Sequence, residues 1–312
     1  MEFFKKKTNI NFIKVSKYSL SVSVLLISLS LFFLLFHGLN MGLDFTGGYQ
    51  IQIDYQHPPS IKEVNKNLAK SNFSSTQVMN FGSINSLMIK LPIHKNENNK
   101  FLTYQNVQSE QHLLKKNIKK ILGNDFEISS LNYIGPQVGK ELANNGVLAL
   151  IVAILSIIAY ITFRFEIKFA ISASIALIHD AIIILGTFAW LQCEFTLTTL
   201  AALLAVIGYS LNDTVVIYDR VRDNFRKMQR VTVVEIFNYS VNDTLSRTIM
   251  TSGLTLVVVV TLYIFGGPSL HDFSLILILG VIIGTYSSIY IASTLAVLLD
   301  LKHESLLSVI KL

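Results

Sequence analysis

TLTTLAALLAVIGYSLNDTVVI, residues 196–217, runs for 22 residues with Asp213 as its single charged side chain. At 1.5 Å per residue such a helix is about 33 Å long, enough to cross a hydrocarbon core of about 30 Å. Five further runs share this character: 18–36, 146–163, 169–190, 249–265 and 273–299, the last long enough to tilt. The whole chain has 312 residues, 51% hydrophobic and 15% charged, against about 25% charge in soluble domains. The expected fold is an α-helical membrane protein with six transmembrane helices. Its one cysteine, Cys193, excludes an internal disulfide and a multi-cysteine metal site. No P-loop and no HExxH motif occur, so neither an enzyme nor a bound cofactor or metal is expected.

The basic residues orient these spans. The net charge of +6 could suggest a nucleic-acid partner, but the Lys and Arg residues cluster beside the apolar runs, so no nucleic acid is expected. Lys5, Lys6, Lys7, Lys14 and Lys17 precede the first run, and Arg164 and Lys168 separate the second from the third. Arg220, Arg222, Arg226, Lys227 and Arg230 separate the fourth from the fifth, and Lys302 and Lys311 follow the sixth. The loops 191–195 and 266–272 carry no Lys or Arg. The positive-inside rule then puts both termini, 1–17 and 300–312, and the loop 218–248 in the cytoplasm. The first run is too long for a typical signal-peptide core and 37–48 offers no good cleavage site, so it reads as a retained anchor.

Residues 37–145 are polar and fall on the outer side of this topology. Within them 49–55 alternates as a half-buried strand does, with Ile51 and Ile53 on one face. Ser60 and Glu63 have capping-box spacing for a helix through Lys70. Strands at 76–81 and 87–91 flank a turn at 82–85, a helix at 104–122 ends at Gly123, and 126–133 makes a last strand. The order β-α-β-β-α-β is that of an α+β ferredoxin-like domain, here extracytoplasmic and set between helices 1 and 2. The cytoplasmic stretch 231–246 is weakly amphipathic and reads either as a helix on the membrane surface or as an ordinary connector helix.

Polar residues inside the apolar runs need a reason, because a charge at the bilayer centre costs about 2.5–3.5 kcal/mol. His179 and Asp180 lie mid-way along the third run, Asn212 and Asp213 in the fourth, and Arg247 where the fifth begins. Counted from the outer ends of their runs, Asp213 and Arg247 are both about 26 Å deep. An acid and a base at one depth can pair. They read as a structural ion pair, as an arginine that snorkels to the cytoplasm, or as a titratable carboxylate that loads and releases a proton. His179 and Asp180 point about 100° apart on a helix, so they are not expected to share one site; with Asn212 they are candidates for proton relay or packing. Gly42, Gly47 and Gly48 flank Asp44 where the chain leaves the first run, and Gly266, Gly267 and Pro268 make a tight hairpin.

Several longer motifs carry a resemblance. Gly42-Leu43-Asp44-Phe45-Thr46-Gly47-Gly48, Gly135-Pro136-Gln137-Val138-Gly139, Tyr209-Ser210-Leu211-Asn212-Asp213-Thr214-Val215-Val216, Tyr218-Asp219-Arg220-Val221-Arg222-Asp223-Asn224 and Leu245-Ser246-Arg247-Thr248 closely resemble the SecD/SecF family, in its SecF form. One outer region of about 108 residues fits SecF better than the larger SecD. The resemblance implies a proton-motive-force-coupled accessory subunit of the Sec translocase in the bacterial inner membrane, within the resistance–nodulation–division superfamily. It implies SecD and the SecYEG channel as partners, YajC and YidC as further neighbours, and an unfolded polypeptide in transit. It also implies proton coupling at Asp213 and Arg247. Two other readings stand beside it: a small-molecule exporter half of the same superfamily, and a purely structural membrane subunit.

Overall fold

The computed structural model describes residues 8–70, 76–92, 104–123, 125–228 and 231–299; Lys5, Lys6, Lys7, Arg230, Lys302, Lys311 and the tail 300–312 lie outside them. The chain divides into two compact units, one formed by the apolar helices and one mainly by residues 41–146.

The helical unit holds α1 (Phe12–Phe36), α6 (Ile167–Leu191), α7 (Leu197–Lys227), α8 (Val233–Phe265) and a last span, Pro268–Leu298. Together with α5 (Pro136–Arg164), these make six helices long and apolar enough to cross a membrane. α7 starts at a capping box, where the Thr196 hydroxyl accepts from the Thr199 amide and the Thr199 hydroxyl accepts from the Thr196 amide. Leu254, Val257, Val258 and Ile264 on α8 are exposed, as residues facing hydrocarbon are. The stretch 231–246 fits the connector-helix reading rather than a separate helix on the membrane surface. From Val233 it forms the opening turns of α8, continuous with the span, because no Gly or Pro falls between 233 and 252 and Ile236, Phe237 and Val241 are buried.

Small residues set how closely the helices approach. A Cβ on Gly186 of α6 would overlap Ser30 of α1, one on Gly280 would overlap Val206, and one on Gly284 would lie 2.9 Å from Ser210 Cβ. Gly280 and Gly284 have the GxxxG spacing that lets helices close without a polar bridge. The last span is regular as α9 (Pro268–Tyr286), widens into a π-turn at Ser287–Ala292 and resumes as α10 (Ser293–Leu298). Such π-turns inside helices often mark functional positions.

The other unit begins with a one-turn helix, α2 (Leu43–Thr46), followed by β1 (Gly48–Tyr55), α3 (Ile61–Ala69), β2 (Gln77–Phe81), β3 (Ser83–Pro92), α4 (Tyr104–Leu122) and β4 (Phe126–Ile134). The strands form one antiparallel sheet in the order β2-β3-β1-β4, with Ile51 opposite Ile89 and Leu131. Strand alternation puts Ile51, Ile53, Leu87 and Ile89 on one face, which Val64 and Leu68 of α3 and Ile118 of α4 cover. Two local expectations are corrected. Ser60 stands at the N-cap of α3 but makes no side-chain capping bond; its carbonyl takes the Glu63 and Val64 amides instead. The turn between β2 and β3 is Gly82 alone, since its φ of +74° lets Phe81 pair directly with Ser83.

Gly47 and Gly48 have a packing role besides the turn. At φ +75°, a Cβ on Gly47 would lie 2.9 Å from Pro136 Cα, and one on Gly139 would lie 2.8 Å from the Phe45 carbonyl oxygen. Gly42 caps α2, and the half-buried Asp44 lies in its first turn. The glycine-flanked turn and the Gly135–Gly139 segment are thus one close backbone contact.

Candidate functional site: two buried aspartates in the helical unit

Asp180 on α6 and Asp213 on α7 are 1% and 4% exposed. Asp180 is densely held. Ser210 of α7 donates to Oδ2 at 2.6 Å, Ser287 at the first position of the π-turn donates to Oδ2 at 2.7 Å, and His179 Nδ1 lies 2.9 Å from Oδ1. One carboxylate therefore ties together α6, α7 and the last span. The expectation that His179 and Asp180 would not share a site is corrected: 100° between neighbouring Cβ atoms is spanned when a long imidazole and a carboxylate are both turned inward. His179 Nε2 is buried without a hydrogen-bond partner among the described residues, and the ring stacks on Tyr286 at 6.5 Å.

Asp213 is held loosely. Ser252 of α8 donates to its Oδ2 at 3.4 Å, and Ser252 in turn lies 2.8 Å from Thr285 on the last span. Among the described residues no ion pair joins Asp213 to Arg247, and the arginine is exposed. The depth expectation is corrected by the register of α7 against α8. Tyr209 meets Thr255, Asp213 meets Ser252, Arg220 pairs with Asp243, and Asn224 donates to Ser240. The residue opposite Asp213 is thus Ser252, five positions beyond Arg247, an axial offset of about 7 Å. Equal counts from two helix ends give equal depth only where those ends are level. Asn212 is exposed and joins neither network among the described residues.

Hydroxyls link the two carboxylates' surroundings. Thr214 and Ser288 lie 2.7 Å apart, Ser288 donates to the Ser210 carbonyl at 3.2 Å, and Tyr218 OH lies 2.7 Å from Ser172 and donates to the Ala292 carbonyl at 3.2 Å. Sequence reasoning misses Ser210, Thr214, Ser287 and Ser288, because hydroxyls in apolar helices usually bond their own backbone. The Gly280–Gly284 spacing is the one signal that points towards them. Among the described residues no group of three or more His, Cys, Asp or Glu is placed to hold a metal. Two carboxylates buried in helices that can span a membrane can bind protons and report the change through hydroxyls to a neighbouring helix.

These features define a polytopic membrane protein with ionisable groups in its helical core and one inserted α/β domain. The profile described as protein export membrane protein SecD/SecF, C-terminal, matches residues 114–302, and that of the SecD/SecF GG motif matches 32–59. Protein translocase subunit SecF of Vibrio alginolyticus is 40% identical over 98% of this chain and 95% of its own length; that of Escherichia coli O157:H7 is 42% identical over 95% and 90%. The crystal structure of SecDF, a translocon-associated membrane protein from Thermus thermophilus, superposes with a TM-score of 0.81 at 30% identity. The superposition covers 96% of this chain and 40% of that one. The chain belongs to the SecD/SecF family of protein export membrane proteins.

Proposed function

We propose that this chain is an accessory subunit of the Sec translocase that acts with SecD and uses the proton-motive force to complete export of polypeptides through the SecYEG channel. YajC and YidC are further neighbours in this reading. The membrane is the bacterial inner membrane, with both termini cytoplasmic and residues 37–145 outside as a ferredoxin-like domain. The names of the SecF relatives and the SecDF superposition support the role. The sheet order β2-β3-β1-β4 with both helices on one face supports the domain reading, and the Lys/Arg bias supports the orientation.

The observation that carries proton coupling is Asp213: buried, bound by a long hydrogen bond to Ser252, and with Arg247 five positions before that serine on the facing helix. A carboxylate so lightly tied can take and lose a proton with little rearrangement, and Arg247 tunes it from a turn away. One charge crossing 100 mV releases about 2.3 kcal/mol, and a pH unit adds about 1.4. That biases a domain between two orientations but does not drag a polypeptide across in one stroke, so repeated small cycles that prevent backsliding fit best. The test is proton-gradient-dependent export in vesicles with Asp213→Asn, Arg247→Gln and the double variant, assembled complex being quantified alongside. No rescue by the double variant is expected; full rescue would leave a structural ion pair. A reporter active only outside the cytoplasm should be active when fused after Lys95 and silent at Arg226.

A further inference from the structure

We propose that the His179–Asp180 pair is a second proton-binding site of the helical unit, and that Ser287 passes its state to the π-turn of the last span. Three observations carry this. The pair is enclosed, at 3% and 1% exposure. A purely structural pair would be closed on every side, but His179 Nε2 is buried and unpartnered among the described residues, which leaves one proton position unfilled. Finally, the Ser287 hydroxyl has two acceptors within reach, Asp180 Oδ2 at 2.7 Å and the Gly284 carbonyl at 3.1 Å. It sits at the position where the last span changes from α to π geometry.

The proton count closes. With Asp180 ionised, His179 is neutral and its Nδ1–H donates to Oδ1 at 2.9 Å. A proton arriving at Nε2 displaces the Nδ1 proton onto Oδ1, leaving a neutral imidazole of the other tautomer and a carboxylic acid. Oδ2 is then a neutral carbonyl oxygen and a weaker acceptor, so Ser287 turns its hydroxyl to Gly284. The groups facing the pair are Ser210 and, one turn along α7, Asp213; Tyr286 and Ser287 on the last span; and Ser19 and Ser23 of α1, which bond Tyr286. No cation among the described residues bonds Asp180 other than what His179 can become. Asp213 reaches the same span two residues earlier, through Ser252 and Thr285, so both carboxylates act on one helix.

The purpose of such a site rests on the proton-coupling reading, but proton binding can be measured without export. The full chain, assembled with SecD in lipid vesicles, is followed by infrared difference spectroscopy as pH is stepped. Two buried carboxylic-acid bands are expected. Asp213→Asn removes one and Asp180→Asn the other. Ser210→Ala moves the second to higher frequency by removing the donor left on its carbonyl, Ser287→Ala lets it persist to higher pH by removing a donor to the carboxylate, and His179→Gln suppresses it. Should Asp180→Asn fail to assemble, Ser287→Ala gives the answer. A single band that Asp213→Asn abolishes, in a spectrum that Ser287→Ala leaves unchanged, overturns the proposal. A persistent second band in an Asp213→Asn protein that exports normally would overturn the export reading and leave this one standing.

Discussion

Asp180 and Asp213 are the same residue type, similarly buried, on adjacent helices, and yet they are built to different ends. Asp180 accepts from three side chains at 2.6–2.9 Å, on three segments of chain. Asp213 accepts from Ser252 at 3.4 Å. Burial alone therefore says little about what a carboxylate does; donor density decides whether a proton arriving there must rearrange the surrounding helices or can exchange with little movement. Removing Asp180 strands several buried donors, each costing about 1–3 kcal/mol, while removing Asp213 strands almost nothing.

The largest expected effect separates the two on function. Asp213→Asn should leave assembly and melting temperature near those of the parent while gradient-driven export falls by roughly fifty-fold, the bias that about 2.3 kcal/mol per 100 mV supplies. Export assays in vesicles, with the complex quantified, measure it. An Asp213→Asn protein that unfolds would erase the contrast, since Asp213 would then be as structural as Asp180.

Stability separates them in the other direction. Asp180→Leu should destabilise the helical unit by about 3–5 kcal/mol, because His179, Ser210 and Ser287 lose a common acceptor. Asp180→Asn keeps one acceptor and should cost less. Thermal unfolding in detergent distinguishes them, and equal effects for Leu and Asn would mean that the donors repartner. In the inserted domain, Gly139→Ala places a Cβ 2.8 Å from the Phe45 carbonyl oxygen and should cost about 1–3 kcal/mol. An unchanged melt would mean that α2 yields.

The legibility of the two sites differs for the same physical reason. Six charge-poor runs, the strand alternation at Ile51 and Ile53 and both buried aspartates are read directly from the sequence, since apolar length and isolated charge are one-dimensional properties. Lateral register is not legible: counting from run ends puts Arg247 level with Asp213, whereas cross-helix bonds from Tyr209 to Thr255 and from Asn224 to Ser240 offset it by a turn. Nor is the donor shell of Asp180, whose members come from positions 179, 210 and 287. Serines in apolar helices carry no signal about which neighbour they face. Gly280 and Gly284 mark the face of closest approach, and the π-turn that follows has no sequence signature in Ser287–Ala292.

Asp54 sharpens the comparison from outside the membrane helices. It repeats the chemistry of Asp180, a serine hydroxyl donating to a carboxylate, on the solvent-facing side of the inserted sheet, where Ser129 and then Ser86 hold its pKa below the ordinary value. Because the folded value is lowered, its contribution is present above the unfolded pKa and is lost as pH falls through the folded one. Water screens the group, so that contribution should stay under about 0.5 kcal/mol. Ser129→Ala should therefore trim the stability lost by the excised fragment 48–133 between neutral and acid pH by a barely resolvable amount. A fragment with its own apolar core should melt cooperatively, giving a clean baseline for that small difference. If Ser129→Ala cost as much as a lost donor at Asp180, donor count alone would govern these carboxylates, and burial could no longer explain why Asp180 and Asp213 differ from Asp54.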